Sequence, residues 1–126
     1  MVYWLYLMRR SSFDILAIGD CMLDVFVMIQ EATVSCKLDR SQCLLSVPYG
    51  EKVPVERIVK IPGAGNSSNA AIGFARLGLQ TAMVSTIGHD ETGQTILTHW
   101  RREGIATHLV TRDQKRETNY STILSF

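Results

Sequence analysis

At 126 residues the chain has room for one small domain and not for two ordinary ones. Thirteen Lys and Arg against twelve Asp and Glu leave a formal net charge of +1, so there is neither a basic field for nucleic acid nor an acidic tail. With 46% hydrophobic and 20% charged residues the composition is globular rather than disordered.

The opening "MVYWLYLMRR" carries too few apolar residues for a membrane span, which needs roughly twenty. It also lacks the leading positive charge and small-residue cleavage site of a signal peptide. Met8 directly precedes "RRSSFDILAIG", so residues 1–12 are expected to be an N-terminal extension ahead of a domain at 13–126. No membrane association is expected, and the location is taken as cytoplasmic. Cys21, Cys36 and Cys43 are an odd count with no CxxC pair, and the seven-residue step from Cys36 to Cys43 is poor for a zinc knuckle. Reduced thiols are expected.

"FDILAIGD" (13–20) is a branched apolar run closed by Gly19, expected as a strand buried on both faces of a parallel sheet. "CMLDVFVMIQ" continues extended, with Asp24 between Leu23 and Val25. From Glu31 to Gly50 the pattern loosens and ends in a Pro-Tyr-Gly turn. "KVPVERIVKI" (52–61) alternates like a half-exposed strand, and its proline suits an edge. A helix follows, with Ser67 or Ser68 as its cap and Gly78 as its stop. Asn69, Ala70, Phe74 and Leu77 share one stripe of it, with Ala71 and Ala75 beside them. "QTAMVSTIG" reads as one buried strand. "DETGQTILTHWRREG" reads as a second helix, started by Asp90 or Thr92, buried through Ile96, Leu97 and Trp100, and stopped by Gly104. "IATHLVT" and "TNYSTILSF" read as two more strands around the charged turn "RDQKRE". Strands alternating with helices imply an α/β sheet, with ligands beyond the carboxyl ends of the strands. Gly19–Asp24, Gly63–Asn69 and Gly88–Gly93 all fall at such ends.

"IPGAGNSSNAAIGFARLG" (61–78) concentrates the chemistry. A dinucleotide fingerprint would need glycine at 63, 65 and 68, but position 68 is Ser; Asp90 would then be the ribose carboxylate. A Walker loop would need a lysine, and none lies between Lys60 and Lys115. A neutral polyol needs neither. Asn side chains both donate and accept, and a carboxylate accepts strongly from adjacent hydroxyls. Gly63, Gly65, Asn66 and Asn69 opposite Asp24 therefore make a candidate sugar site. His89, His99 and His108 have no metal spacing, Trp100 belongs to the core, and Arg101, Arg102 and Glu103 form a solvated helix end.

These residues resemble the first signature of the ribokinase-like carbohydrate kinases, the PfkB family. Ala64-Gly65 is similar to its small-Gly pair, Asn69 to its asparagine and Ala71 to the small residue two further on; Gly78 and Gly88 are the spaced glycines. Ser67 departs from the usual Gly, Ala or Pro. "AIGDCMLDVF" resembles the family's first strand with its substrate Asp at Asp24, and "IGHDETG" its Gly-x-Asp-x-x-Gly. The resemblance implies a truncated parallel sheet flanked by helices with a small β lid at about 25–61. It implies transfer of the γ-phosphoryl of ATP, with Mg2+, to a hydroxyl of a sugar or nucleoside. The catalytic Asp turn and the ATP site belong to the family's second half, beyond Phe126, so no catalytic, cofactor or metal residue is assigned. Asp20 is not taken as a base, and this chain alone is expected to be inactive and poorly soluble. A homodimer through the lid is compatible with the apolar "VFVMI". The alternatives are a non-catalytic sugar- or nucleoside-binding module and a dinucleotide-binding domain.

Overall fold

Branched residues in "ILAI" form strand β1, Ile15–Ile18, which runs parallel to β6, Thr81–Val84, in the register Ile15↔Thr81 to Ile18↔Val84. The computed structural model describes residues 13–126; the expected extension at 1–12 lies outside the described residues. Helix α1, Asn66–Arg76, packs on β1 and β6. It lies close enough that Ser68 and Ala71 are fully buried while Phe74 and Leu77 stay exposed. The expected Phe74/Leu77 stripe is thus the outer one, since only small side chains fit under a helix this near the sheet.

"QTAMVSTIG" is two strands rather than one. Ser85 separates β6 from β7, Thr86–Gly88, and the chain changes partner there: β6 pairs with β1, β7 with β8, Thr111–Asp113. Strand β8 runs into the expected charged turn at Arg112 and Asp113; of "IATHLVT" only Thr111 belongs to it, and Ala106 makes an isolated bridge to Ala82. The chain then bends, with Val110 N–H donating to the Thr107 carbonyl at 3.1 Å. Helix α2, Glu91–Arg102, matches expectation: Asp90 caps it, and Ile96, Leu97 and Trp100 are buried. Trp100, Met83, Ile96, Ile87 and Ala71 form the core between the helices and the strands.

A second, three-stranded sheet takes up most of the segment expected as a lid. Strand β2, Met22–Ile29, lies between antiparallel β5, Val55–Ala64, and parallel β9, Tyr120–Ser125. Strand β5 is therefore an edge and tolerates Pro62 in its last turn of pleat. The loosely patterned segment from Glu31 forms the hairpin β3, Thr33–Cys36, and β4, Cys43–Ser46, exposed throughout. Its register sets Cys36 directly opposite Cys43, and the two are joined as a disulfide. The expectation of reduced thiols is corrected for these two; Cys21 alone is free, and it is buried. Burial of β1 on both faces is also corrected: Leu16 is 49% and Ile18 69% exposed. Helix α1 covers one face, and no element among the described residues covers the other.

Candidate functional site

The glycine-rich turn is fastened on two sides. Gly63 has φ 70, and a Cβ there would stand 3.0 Å from Trp100 Nε1. Gly65 has φ 113, and a Cβ there would stand 3.1 Å from the Asp20 carbonyl oxygen. Both positions combine a left-handed backbone with a close approach, which restricts them to glycine. Neither serine caps α1; its N-cap is Gly65, without a side-chain bond. The Ser67 hydroxyl donates instead to the Asp20 carbonyl at 2.7 Å. The Ser68 hydroxyl donates to the Gly63 carbonyl and accepts from Trp100 Nε1, at 2.7 Å in the latter case. The reason lies in burial: Ser68 sits among core atoms that leave carbonyls in need of donors.

This stitching brings the Gly19–Asp24 and Gly63–Asn69 stretches together. Met22 pairs with Ala64, Leu23 with Pro62 and Asp24 with Ile61. Asn66 and Asn69 stand exposed on the first turn of α1, and no intramolecular hydrogen bond engages either side-chain amide among the described residues. Asp24 is half-buried in β2, the middle strand of the three-stranded sheet, where it accepts from the Ser121 hydroxyl of β9. No hydrogen bond joins Asp24 to either Asn. An open cleft of about 400 Å³ lies at the carboxyl ends of β1 and β6, lined by Gly19, Asp20, Ser85 and Thr86 among others. Beneath it, burial pushes the Cys21 thiol up, with Ser85 opposing and Asp20 adding to the shift.

The third stretch, Gly88–Gly93, forms its own cluster. Asp90 accepts from Gly93 N–H at 2.7 Å, from Thr118 N–H at 2.6 Å and from the Thr118 hydroxyl at 2.8 Å. Burial works against its ionisation, but these bonds and Arg112 outweigh it and hold the carboxyl below the usual carboxylate range. Both oxygens are occupied, so Asp90 does not present a free carboxylate to a ribose. Glu103 is not simply solvated either: Arg76 grips it at 2.7 and 2.8 Å and ties the end of α1 to the end of α2. Ser121 and Thr118 escaped the sequence reading, because nothing local marks either one; the pairing of β9 with β2 reveals Ser121, and the bonds to Asp90 and Gly88 reveal Thr118.

The profile of the pfkB family carbohydrate kinases matches residues 14–125. The chain belongs to that family. A relative, the ribokinase of Haemophilus influenzae, is 38% identical over 77 residues, 57% of this chain and 25% of its own. A sugar kinase of Pyrococcus horikoshii, solved in complex with ATP, superposes with a TM-score of 0.62 at 24% identity, over 87% of this chain and 30% of its own. The Methanocaldococcus jannaschii nucleoside kinase superposes at 0.68 with 16% identity, over 88% of this chain and 32% of its own. The last two show the fold alone. The chain spans about a quarter to a third of the length of these proteins. The α/β, ribokinase-like fold class is therefore met, with two helices among the described residues. Among the described residues no helix is long and apolar enough to cross a membrane.

Proposed function

We propose that this chain is the acceptor-binding half and lid of an ATP-dependent carbohydrate or nucleoside kinase of the cytoplasm. Asp24, Gly63, Gly65, Asn66 and Asn69 hold the hydroxyl-bearing acceptor. One observation carries this reading: the turn pinned by Gly63 and Gly65 sits in the same ladder as Asp24 and leaves the Asn66 and Asn69 amides exposed and unspent. Amides and a carboxylate so placed offer donors and acceptors to neutral hydroxyls and no cation to a phosphate.

ATP and Mg2+ are the co-substrate and metal that the family implies. The described residues do not fit them: no group of three or more His, Cys, Asp or Glu side chains among them could hold a metal. The Ser67 and Ser68 hydroxyls are bound to carbonyls, and the turn has no lysine. Both groups are assigned to the part of the protein outside this chain, together with the catalytic base. The lid is also the surface for a homodimer: Val25 to Met28 of "VFVMI" are half-buried there with Ile29 buried, and Val55, Ile58 and Ile61 of the neighbouring β5 are exposed.

The test is turnover by the complete reading frame with ATP against ribose, fructose, 2-keto-3-deoxygluconate, adenosine and inosine. A true acceptor at about a hundredfold excess over Kd adds about 2.7 kcal/mol of stability in a thermal-shift screen. Asp24→Asn should raise KM for that acceptor by about 10–100-fold, the value of hydrogen bonds to a charged group. Binding without turnover would favour a non-catalytic module, and retention on a nicotinamide cofactor instead would discard the kinase.

A further inference from the structure

The cluster around Asp90 and the carboxylate at Asp24 are joined by the short run of chain from Thr118 into the start of β9. Thr118 is 6% exposed, and its hydroxyl is fully used: it donates to Asp90 at 2.8 Å and accepts from Gly88 N–H at 2.9 Å. The glycines at 88 and 93 leave room for it; a Cβ on Gly88 would stand 2.6 Å from Thr118 N, and one on Gly93 would stand 2.9 Å from Thr118 Oγ1. Directly after this clasp, the Asn119 carbonyl accepts from Leu23 N–H at 3.0 Å. The parallel ladder then runs Leu23↔Tyr120 and Asp24↔Ser121.

Strands β2 and β9 are far apart in the chain, so no tight turn sets their register. Ser121 and Asp24 are separated by 97 positions. A slip of one residue would turn Ser121 to the opposite face and bring Tyr120 or Thr122 beside Asp24. The clasp anchors Thr118, three residues ahead of Ser121, and removes that freedom. Ser121 then donates to Asp24 Oδ1. A carboxylate accepts only, so the direction of this bond is fixed, and it holds one rotamer of Asp24 with Oδ2 left for another donor.

We propose that Ser121 is a positioning residue for Asp24, held in register by the clasp of Gly88, Asp90, Gly93 and Thr118. This rests on the reading of Asp24 as the acceptor-binding carboxylate. It gives the Gly-x-Asp-x-x-Gly stretch a task in acceptor binding, although it touches no acceptor itself.

The test uses the complete protein and whichever acceptor of the panel it phosphorylates. Ser121→Ala should raise KM for the acceptor about tenfold, the size of one lost hydrogen bond to a charged group, with kcat within about twofold. Ser121→Thr keeps the hydroxyl and should restore most of the affinity. Ser121→Cys, nearly isosteric and a weak donor, should behave like the alanine variant, which separates lost donation from lost packing. Thr118→Val should raise KM in the same direction, and Arg76→Ala, at the C-terminal end of α1, should leave it unchanged. An unchanged KM in Ser121→Ala beside a raised one in Asp24→Asn would overturn this inference and leave the kinase reading standing. Failure of Ser121→Thr to restore KM would also overturn it. A protein that turns over none of the panel, or one whose KM ignores Asp24→Asn, would take both down.

Discussion

The core around Trp100 and the hairpin of β3 and β4 are held by opposite means. Trp100 has no exposed surface, donates to Ser68, and packs with Ile96, Met83 and Ala71. Every residue of β3 and β4 is exposed, the two strands pair only with each other, and a disulfide joins them. One region is stable because burial makes each side chain depend on many others. The other has too little apolar contact to be stable that way and relies on a covalent link. Substitutions should therefore cost much in the first region and little in the second.

The largest effect is expected from Trp100→Ala. Removing a fully buried indole should destabilise the protein by about 3–5 kcal/mol, read as a lower urea midpoint at unchanged slope. Gly88→Ala comes next. Its Cβ would press on Asp90 Oδ2 at 2.5 Å and on Thr118 N at 2.6 Å, and the second of these is backbone that cannot step aside. Overpacking of this kind costs about 1–3 kcal/mol. A neutral result at Gly88 would mean the clasp is looser than its contacts imply.

A smaller effect, about 1 kcal/mol, is expected from Asp90→Ala, which removes the cap of α2. Its pH dependence is the sharper observation. The folded carboxyl is held below its ordinary value, so its contribution is fully present above the unfolded pKa, about 3.9, and is lost as pH falls through the lower folded one. The difference in urea midpoint between the native protein and Asp90→Ala should be constant from neutral pH down to about pH 5 and close in stronger acid. A gap that persisted there would assign the loss to packing instead of charge.

Helix α2 was legible because burial on one face writes a period of 3.6 into Ile96, Leu97 and Trp100, with Asp90 and Gly104 marking its ends. Helix α1 has the same period, but its inward stripe is buried Ser68 and Ala71 with half-buried Ala75, small residues that a scale of hydrophobicity ranks below the exposed Phe74 and Leu77. The break at Ser85 left no local signal, since it arises from a change of partner strand. Of the candidate site, the turn at Gly63 and Gly65 could be read, because unusual backbone demands glycine wherever it occurs. Ser121 could not. Its partner is fixed by register across nearly the whole chain, and register is a property of the sheet.

The smallest change in global stability is expected where the contrast is greatest, on reducing Cys36–Cys43. The loop it closes spans a separation of only seven residues, and the hairpin buries nothing against the core. If β3 and β4 open as a separate unit, the bond stabilises that unit alone, and the global unfolding free energy from urea melts should change by less than about 0.5 kcal/mol. Proteolysis within 37–42 should accelerate on reduction all the same, because the open hairpin is what a protease cuts. Thiol counting fixes the starting state: one free cysteine before reduction, the buried Cys21, and three after it. A global stability falling by the full 2 kcal/mol or so, about what a native disulfide can supply, would show that the hairpin unfolds with the core. The division between a packed half and a stapled half would then fail.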